Sequence, residues 1–150
     1  MEAIFGSARS NALAVNVTPS EPGIFSADAS GMGPGAILDV NYHLVSAANP
    51  VSAGAIIQVF ATGQGQTSPG GVDGLIEPLT LPLPVPLLAV GATIGGIGAN
   101  IQYVGAAPRQ VAGALQINLI VPAGLPSGPA PLFLMIGQNG SQSGITVAIQ

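Results

Sequence analysis

Apolar positions in this chain fall into short runs separated by Gly, Pro and Asn. The candidate strands are Ala12–Val17, Ala36–Val40, Tyr42–Val45, Ala55–Thr62, Leu87–Ile94, Asn100–Val104, Ala114–Val121, Leu132–Ile136 and Ile145–Ile149. In Ala114–Val121 the residues Leu115, Ile117, Leu119 and Val121 fall on one parity, with Gln116 and Asn118 on the other. Ile145, Val147 and Ile149 alternate with Thr146 and Ala148 in the same way. A period of two is the mark of a half-buried strand, and strand-length runs with turn residues between them predict an all-β sandwich or barrel. Asn139-Gly140 predicts a hairpin between Leu132–Ile136 and Ile145–Ile149, and Gly95-Gly96 another between Leu87–Ile94 and Asn100–Val104, because these residues accept positive φ. The run from Pro78 to Pro86 predicts an extended sheet edge or crossover; it contains no PxxP spacing that would make it a docking ligand.

A weak internal repeat supplements the strand pattern. Phe5-Gly6-Ser7-Ala8 through Val17 aligns, with one residue of slack, to Ile136-Gly137 through Ile149. The expected organisation is therefore a sandwich over residues 20–150 and, over residues 1–19, the terminal strands of a preceding module or a donor or linker segment. A neighbour completed by such a segment would gain main-chain hydrogen bonds along a sheet edge.

Composition sharpens the picture. Among 150 residues there are 22 Gly and 14 Pro, which exclude a helical bundle because each weakens a helix interior. Hydrophobic residues make up 48%, enough to fill a core, so the chain is expected to fold despite its Gly and Pro content. Only two Arg, no Lys and six acidic residues are present, for a net charge of −4. That set cannot neutralise a phosphate backbone or an anionic membrane surface, so nucleic acid is not expected as a partner. No apolar stretch is long enough for a membrane helix. The 33 Ser, Thr, Asn and Gln residues instead give a neutral amide- and hydroxyl-rich surface, suited to being covered by like domains, subunits or glycan. The absence of Cys removes disulfides, thiolate metal sites and Cys nucleophiles. The opening residues do not read as a signal peptide, so the expectation is that a signal was removed or that the chain is a piece of a longer one.

Segments in both halves of the chain carry a resemblance. Pro22-Gly23-Ile24-Phe25, Gly35-Ala36-Ile37-Leu38 and Ser46-Ala47-Ala48-Asn49-Pro50-Val51 precede Ile56 to Gly65. Tyr103-Val104-Gly105, Pro108, and Gly113-Ala114-Leu115-Gln116-Ile117-Asn118-Leu119-Ile120-Val121-Pro122 follow in order. From about residue 20 onward the chain resembles the uncharacterised immunoglobulin-like (IPT/TIG-like) C-terminal domain repeated in acidobacterial exported proteins. The resemblance implies an immunoglobulin-like β-sandwich in an exported multidomain protein, and it brings no catalytic residues. Arg109-Gln110 departs from the family's glycine-rich, apolar loop.

Candidate chemistry is sparse. His43 is the one imidazole, and a triad would need Asp39 or Asp28 and a hydroxyl, but no Gly-x-Ser-x-Gly elbow occurs. Asp39 with Asn41, and Asp73 with Glu77, offer fewer oxygens than calcium takes. Asp73 and Glu77 as a glycosidase pair lack aromatic platforms, since there is no Trp. The glycine clusters Gly31–Gly35 and Gly63–Gly65 read as turns rather than phosphate loops. No catalytic residue, cofactor or metal is expected. Two sequons, at Asn16 and Asn139, are candidate glycosylation sites. Gln64, Gln66, Asp73, Arg109 and Gln110 mark loops that would form a binding site. The expected role is an extracellular or cell-surface structural and adhesive module, one link of a tandem array or a filament subunit. The alternative is a protein- or polysaccharide-binding accessory module of a larger exported protein.

Overall fold

The computed structural model describes residues 1–150 and contains fifteen strands and no helix. The first half holds β1 (Ile4–Phe5), β2 (Ala8–Arg9), β3 (Gly23–Ile24), β4 (Gly33–Pro34), β5 (Ile37–Leu38), β6 (Ile56–Thr62), β7 (Thr67–Ser68) and β8 (Val85–Pro86). The second half holds β9 (Val90–Ile94), β10 (Ile97–Gly98), β11 (Asn100–Ala106), β12 (Leu115–Ile120), β13 (Gly128–Ile136), β14 (Asn139–Gly140) and β15 (Ile145–Ile149).

Two sheets carry the fold. One runs β11-β12-β6-β3, with β5 also pairing β6. The other runs β10-β9-β13-β15-β4, with β14 returning along β13. Most pairings are antiparallel; β15 and β4 run parallel. Period-two alternation sets the inner faces: Ile57, Val59 and Ala61 of β6 and Leu115, Ile117 and Leu119 of β12 are buried, and their sequence neighbours are not. From the second sheet Leu132, Leu134 and Ile136 of β13 and Ile145, Val147 and Ile149 of β15 join them in a single core of 20 buried residues. Each such side chain contributes on the order of 1.5–3 kcal/mol by leaving water, so one core holds both sheets together. The all-β expectation agrees with this architecture, which is compatible with a β-sandwich.

Several local expectations need correction. The turn after β13 lies at Gly137-Gln138, not at Asn139-Gly140; Ile136 faces Asn139 and Met135 faces Gly140, so the latter pair is already in the returning strand. Gly137 supplies the positive φ, at 62°. Gly95-Gly96 does form a tight turn, with φ of 59° and 79°, but it joins β9 to the short β10. Asn100–Ala106 then leaves that sheet and pairs β12 in the other one. Tyr42–Val45 forms an isolated bridge at Leu44 rather than a strand, because Asp39 folds the preceding residues into a loop. Ala12–Val17 forms no strand, because no sheet lies beside it. Pro78–Pro86 behaves as expected of an edge: Pro84 O accepts from Ala106 N–H, and Val85–Pro86 pairs Thr67–Ser68.

The chain enters and leaves at opposite ends. Ser20 is tied to Ile136, at the C-terminal end of β13, while Ile149 faces Gly128, at its start. The nine residues of β13 span eight steps between those points, roughly 26 Å at about 3.3 Å per residue.

Adjacent residues of β13 give a direct check of the alternation. Leu134 is 0% exposed and Met135 44%. Leu134→Ala is expected to cost about 2–5 kcal/mol in urea unfolding and Met135→Ala less than about 1 kcal/mol; equal losses would contradict the assigned faces.

Candidate functional site

The N-terminal ribbon leaves its apolar side chains uncovered. β1 and β2 pair through Ile4↔Arg9 and Phe5↔Ala8 around Gly6, whose φ is 61°. Ser10 N–H donates to Ala3 O at 3.0 Å, Ala3 N–H donates to Ser10 Oγ at 3.0 Å, and Leu13 N–H donates to Met1 O at 2.8 Å. Arg9 and Glu2 pair across the strands at 3.1 Å, an exposed contact worth about 0–1 kcal/mol. Residues 1–19 are all exposed, with Phe5 and Val17 each 92% accessible. An isolated two-stranded ribbon is marginal in water, and one edged with bare Phe, Leu and Val lacks the apolar cover that stabilises a sheet.

The joint between ribbon and sandwich is firmly held. Ser20 is buried; its hydroxyl donates to Ile136 O at 2.7 Å, and its own carbonyl accepts from Asn139 Nδ2 at 2.6 Å. Glu21 N–H donates to Gly63 O at 2.9 Å. A Cβ on Gly63 would collide with Glu21 O, and one on Gly65 with Pro19 O; both glycines also hold positive φ. The chain therefore approaches the Gly63–Gly65 backbone more closely than any other residue type would permit. Of the two sequons, Asn16 is exposed in the ribbon. Asn139 has the nitrogen to which a sugar would be attached engaged at Ser20.

The structure divides the expected binding loops between two places. Gln64, Gln66 and Asp73 line one shallow groove of about 410 Å³, beside Thr67 and Leu87. Gln64 is not the exposed loop residue expected from sequence: it is 6% exposed, and its Oε1 is buried without a hydrogen-bond partner. Arg109 and Gln110 line a different hollow of about 670 Å³, with Tyr42, Gln58, Phe60 and Gln116. Arg109 sits at φ 62°, its N–H donating to Glu77 O, while Glu77 N–H donates to Gln110 O. Desolvation, with a further contribution from the Glu77 charge, raises the Tyr103 phenol above its ordinary pKa; its hydroxyl donates to Ala106 O at 2.8 Å.

The expected acid and imidazole do meet. His43 Nδ1 lies 3.7 Å from Asp39 Oδ2, with the imidazole mostly exposed. Asp39, however, is committed to its loop: Oδ1 accepts from the N–H of Asn41 and of His43, and Oδ2 from Asn49 Nδ2. Donation from the His43 backbone is the largest influence holding the Asp39 carboxyl below its ordinary pKa. The Ser30 hydroxyl, then its N–H, act similarly on Asp28. No three His, Asp or Glu side chains gather into a metal-binding cluster. No helix is long and apolar enough to cross a membrane.

Sequence reasoning missed the Ser20–Asn139 clamp, which joins residues 119 apart and leaves no local signal. It also missed the burial of Gln64. Comparison with protein-family models, curated proteins and solved structures finds no match.

Lowered carboxyl pKa values have a defined consequence for stability. A group whose folded pKa lies below its unfolded value stabilises the fold above the unfolded pKa and loses that contribution as pH falls through the folded one. Thermal stability should thus be level from neutrality to about pH 5 and fall below about pH 4. Asp39→Ala should melt lower than the parent at pH 7, and the gap should close towards pH 2; a gap independent of pH would contradict the assignment.

Proposed function

We propose that this chain is a non-enzymatic structural module of an exported protein, an immunoglobulin-like β-sandwich that serves as one link of a tandem array or surface filament. The observation that carries the reading is the placement of the ends: the chain enters at one pole of the sandwich and leaves at the other, and the entry pole bears an apolar ribbon without cover. Modules joined in that way extend along the β13 direction, so tension would run along paired strands. The surface suits contact with like modules. With 5% charged residues, little charge needs desolvating when two such faces meet.

Large apolar side chains such as Tyr42, Leu79, Leu81 and Val111 are also exposed on the body of the sandwich, where a lone soluble domain would ordinarily place charge. They offer additional surface for neighbours. Immunogold electron microscopy of the cells that make the protein tests this reading: label on extended surface structures is expected, and label confined to the cell interior would contradict it.

A second reading, a protein- or polysaccharide-binding accessory module, is favoured by one observation. Gln64 Oε1 is buried without a partner, and Gln64 lines a polar groove with Gln66, Asp73 and backbone of Gly70 and Gly71. A neutral hydroxylated ligand in that groove would supply the missing donor once the Gln64 amide turns towards it, since the oxygen is closed to solvent as it stands. On that reading a glycan array shows binding that Gln64→Leu reduces at least about tenfold, the effect of losing one hydrogen bond of about 1.4 kcal/mol; no binding by the parent would dismiss it.

A further inference from the structure

We propose that residues 1–17 are the closing β-hairpin of a preceding copy of this module, so that the partner of the uncovered ribbon is an upstream sandwich with an open slot in the centre of one sheet. The proposal rests on the tandem-array reading and names the partner and the register.

This chain contains the same hairpin twice, once bare and once installed. In the ribbon, Gly6 at φ 61° turns the chain so that Phe5 faces Ala8; at the end of β13, Gly137 at φ 62° turns it so that Ile136 faces Asn139. Ser10 N–H donates to Ala3 O, and Ser141 N–H donates to Leu134 O. Ala3 N–H donates to Ser10 Oγ at 3.0 Å, and Leu134 N–H donates to Ser141 Oγ at 3.1 Å. The Ser10 hydroxyl donates to Asn11 O, and the Ser141 hydroxyl to Gln142 O. Even the exposed cross-strand pair has its counterpart: Glu2 meets Arg9 where Phe133 lies over Gly140. Three residues separate Arg9 from Leu13 and four separate Gly140 from Ile145, which places the one-residue difference in the irregular stretch after the shared serine. Beyond it the arms align again. Leu13 N–H donates to Met1 O, and the Pro131↔Thr146 register, continued by one residue, sets Ile145 across from Leu132.

The correspondence assigns each side chain of the ribbon to a face. Met1, Ala3 and Phe5 take the places of Leu132, Leu134 and Ile136; Leu13, Val15 and Val17 take those of Ile145, Val147 and Ile149. Leu132, Leu134, Ile136, Ile145, Val147 and Ile149 are all buried, whereas Met1, Phe5, Leu13, Val15 and Val17 are exposed. The installed hairpin also shows what covers it. β13 pairs β9 along one edge, and β15 pairs β4 and Val51 along the other. Both edges of the ribbon would find the same partners in the upstream copy, satisfying backbone groups that now face solvent.

A mechanical consequence follows. Val17 is the last core residue of one sandwich, and Ser20 is the first clamped residue of the next. Only Thr18 and Pro19 lie between, with the Thr18 hydroxyl donating to Ser20 O at 2.9 Å. Successive modules are thus joined end to end without a flexible linker.

The test grafts one hairpin onto the site of the other. In the full chain, Leu132–Ile149 is replaced by a second Met1–Val17, once in register and once with a single Ala inserted after Pro131, which turns every grafted β13 side chain to the opposite face. A third chain carries Ala3→Leu in the in-register graft, refilling the place of Leu134. The in-register graft is expected to unfold in one cooperative urea transition, the Ala3→Leu graft to need more urea, and the shifted graft to show no cooperative transition. Loss of cooperativity in both in-register grafts, or equal stability of shifted and in-register grafts, would overturn the proposal. The surface-array reading would survive that outcome if immunogold label still marked extended structures.

Discussion

A strand turns alternate side chains to one face and offers unpaired N–H and C=O groups along both edges, so it is stable only when that face is covered and those edges are paired. β13 meets both conditions. Leu132, Leu134 and Ile136 face the core contributed by β6 and β12, while β9 and β15 close its two edges. Nearly everything else in the molecule is arranged around this strand. Its far end receives the entering chain at Ser20, and its near end lies beside the exit at Ile149. The ribbon at residues 1–17 meets neither condition, and its chemistry makes sense as that of a strand pair whose core lies elsewhere.

The low charge of the chain belongs to the same account. A soluble domain usually guards its edges with Lys and keeps neighbours away by repulsion. This one has no Lys, and its two Arg are placed in the ribbon and in the loop after Pro108. Its neutral exterior removes a barrier to close packing with copies of itself. A structural role in an array uses that property, whereas a freely diffusing module would be exposed to its cost in solubility.

Much of the fold could be read from the order of residues wherever a strand had both a clean period and a partner. Ala114–Val121, Ala55–Thr62 and Ile145–Ile149 show period two because one face meets the core. Ala12–Val17 shows the same period but stays out of any sheet, since the pattern reports a strand's preferred faces and not whether a neighbour is present to meet them. Asn139-Gly140 reads as the turn after β13, two residues late, because Gly137 and Gly140 both permit one. The choice between them is made by register, through Ser141 across from Leu134. The burial of Gln64 and the clamp of Asn139 on Ser20 depend on segments far apart in the chain and have no periodic signature. The repeat between residues 5–17 and 136–149 is faint as letters, since Ala, Ile, Val and Leu interchange freely on a buried face. As hydrogen bonds it is plain.

If the hairpin seen bare at the N-terminus is buried in the assembled protein as its counterpart is here, its amides are protected there. Amide hydrogen exchange on the native, full-length assembly measures this directly. Ile4, Phe5 and Val15 are expected to exchange as slowly as Met135, Ile136 and Val147; exchange at the rate of an open ribbon, with the latter three still protected, would show that the hairpin stays bare.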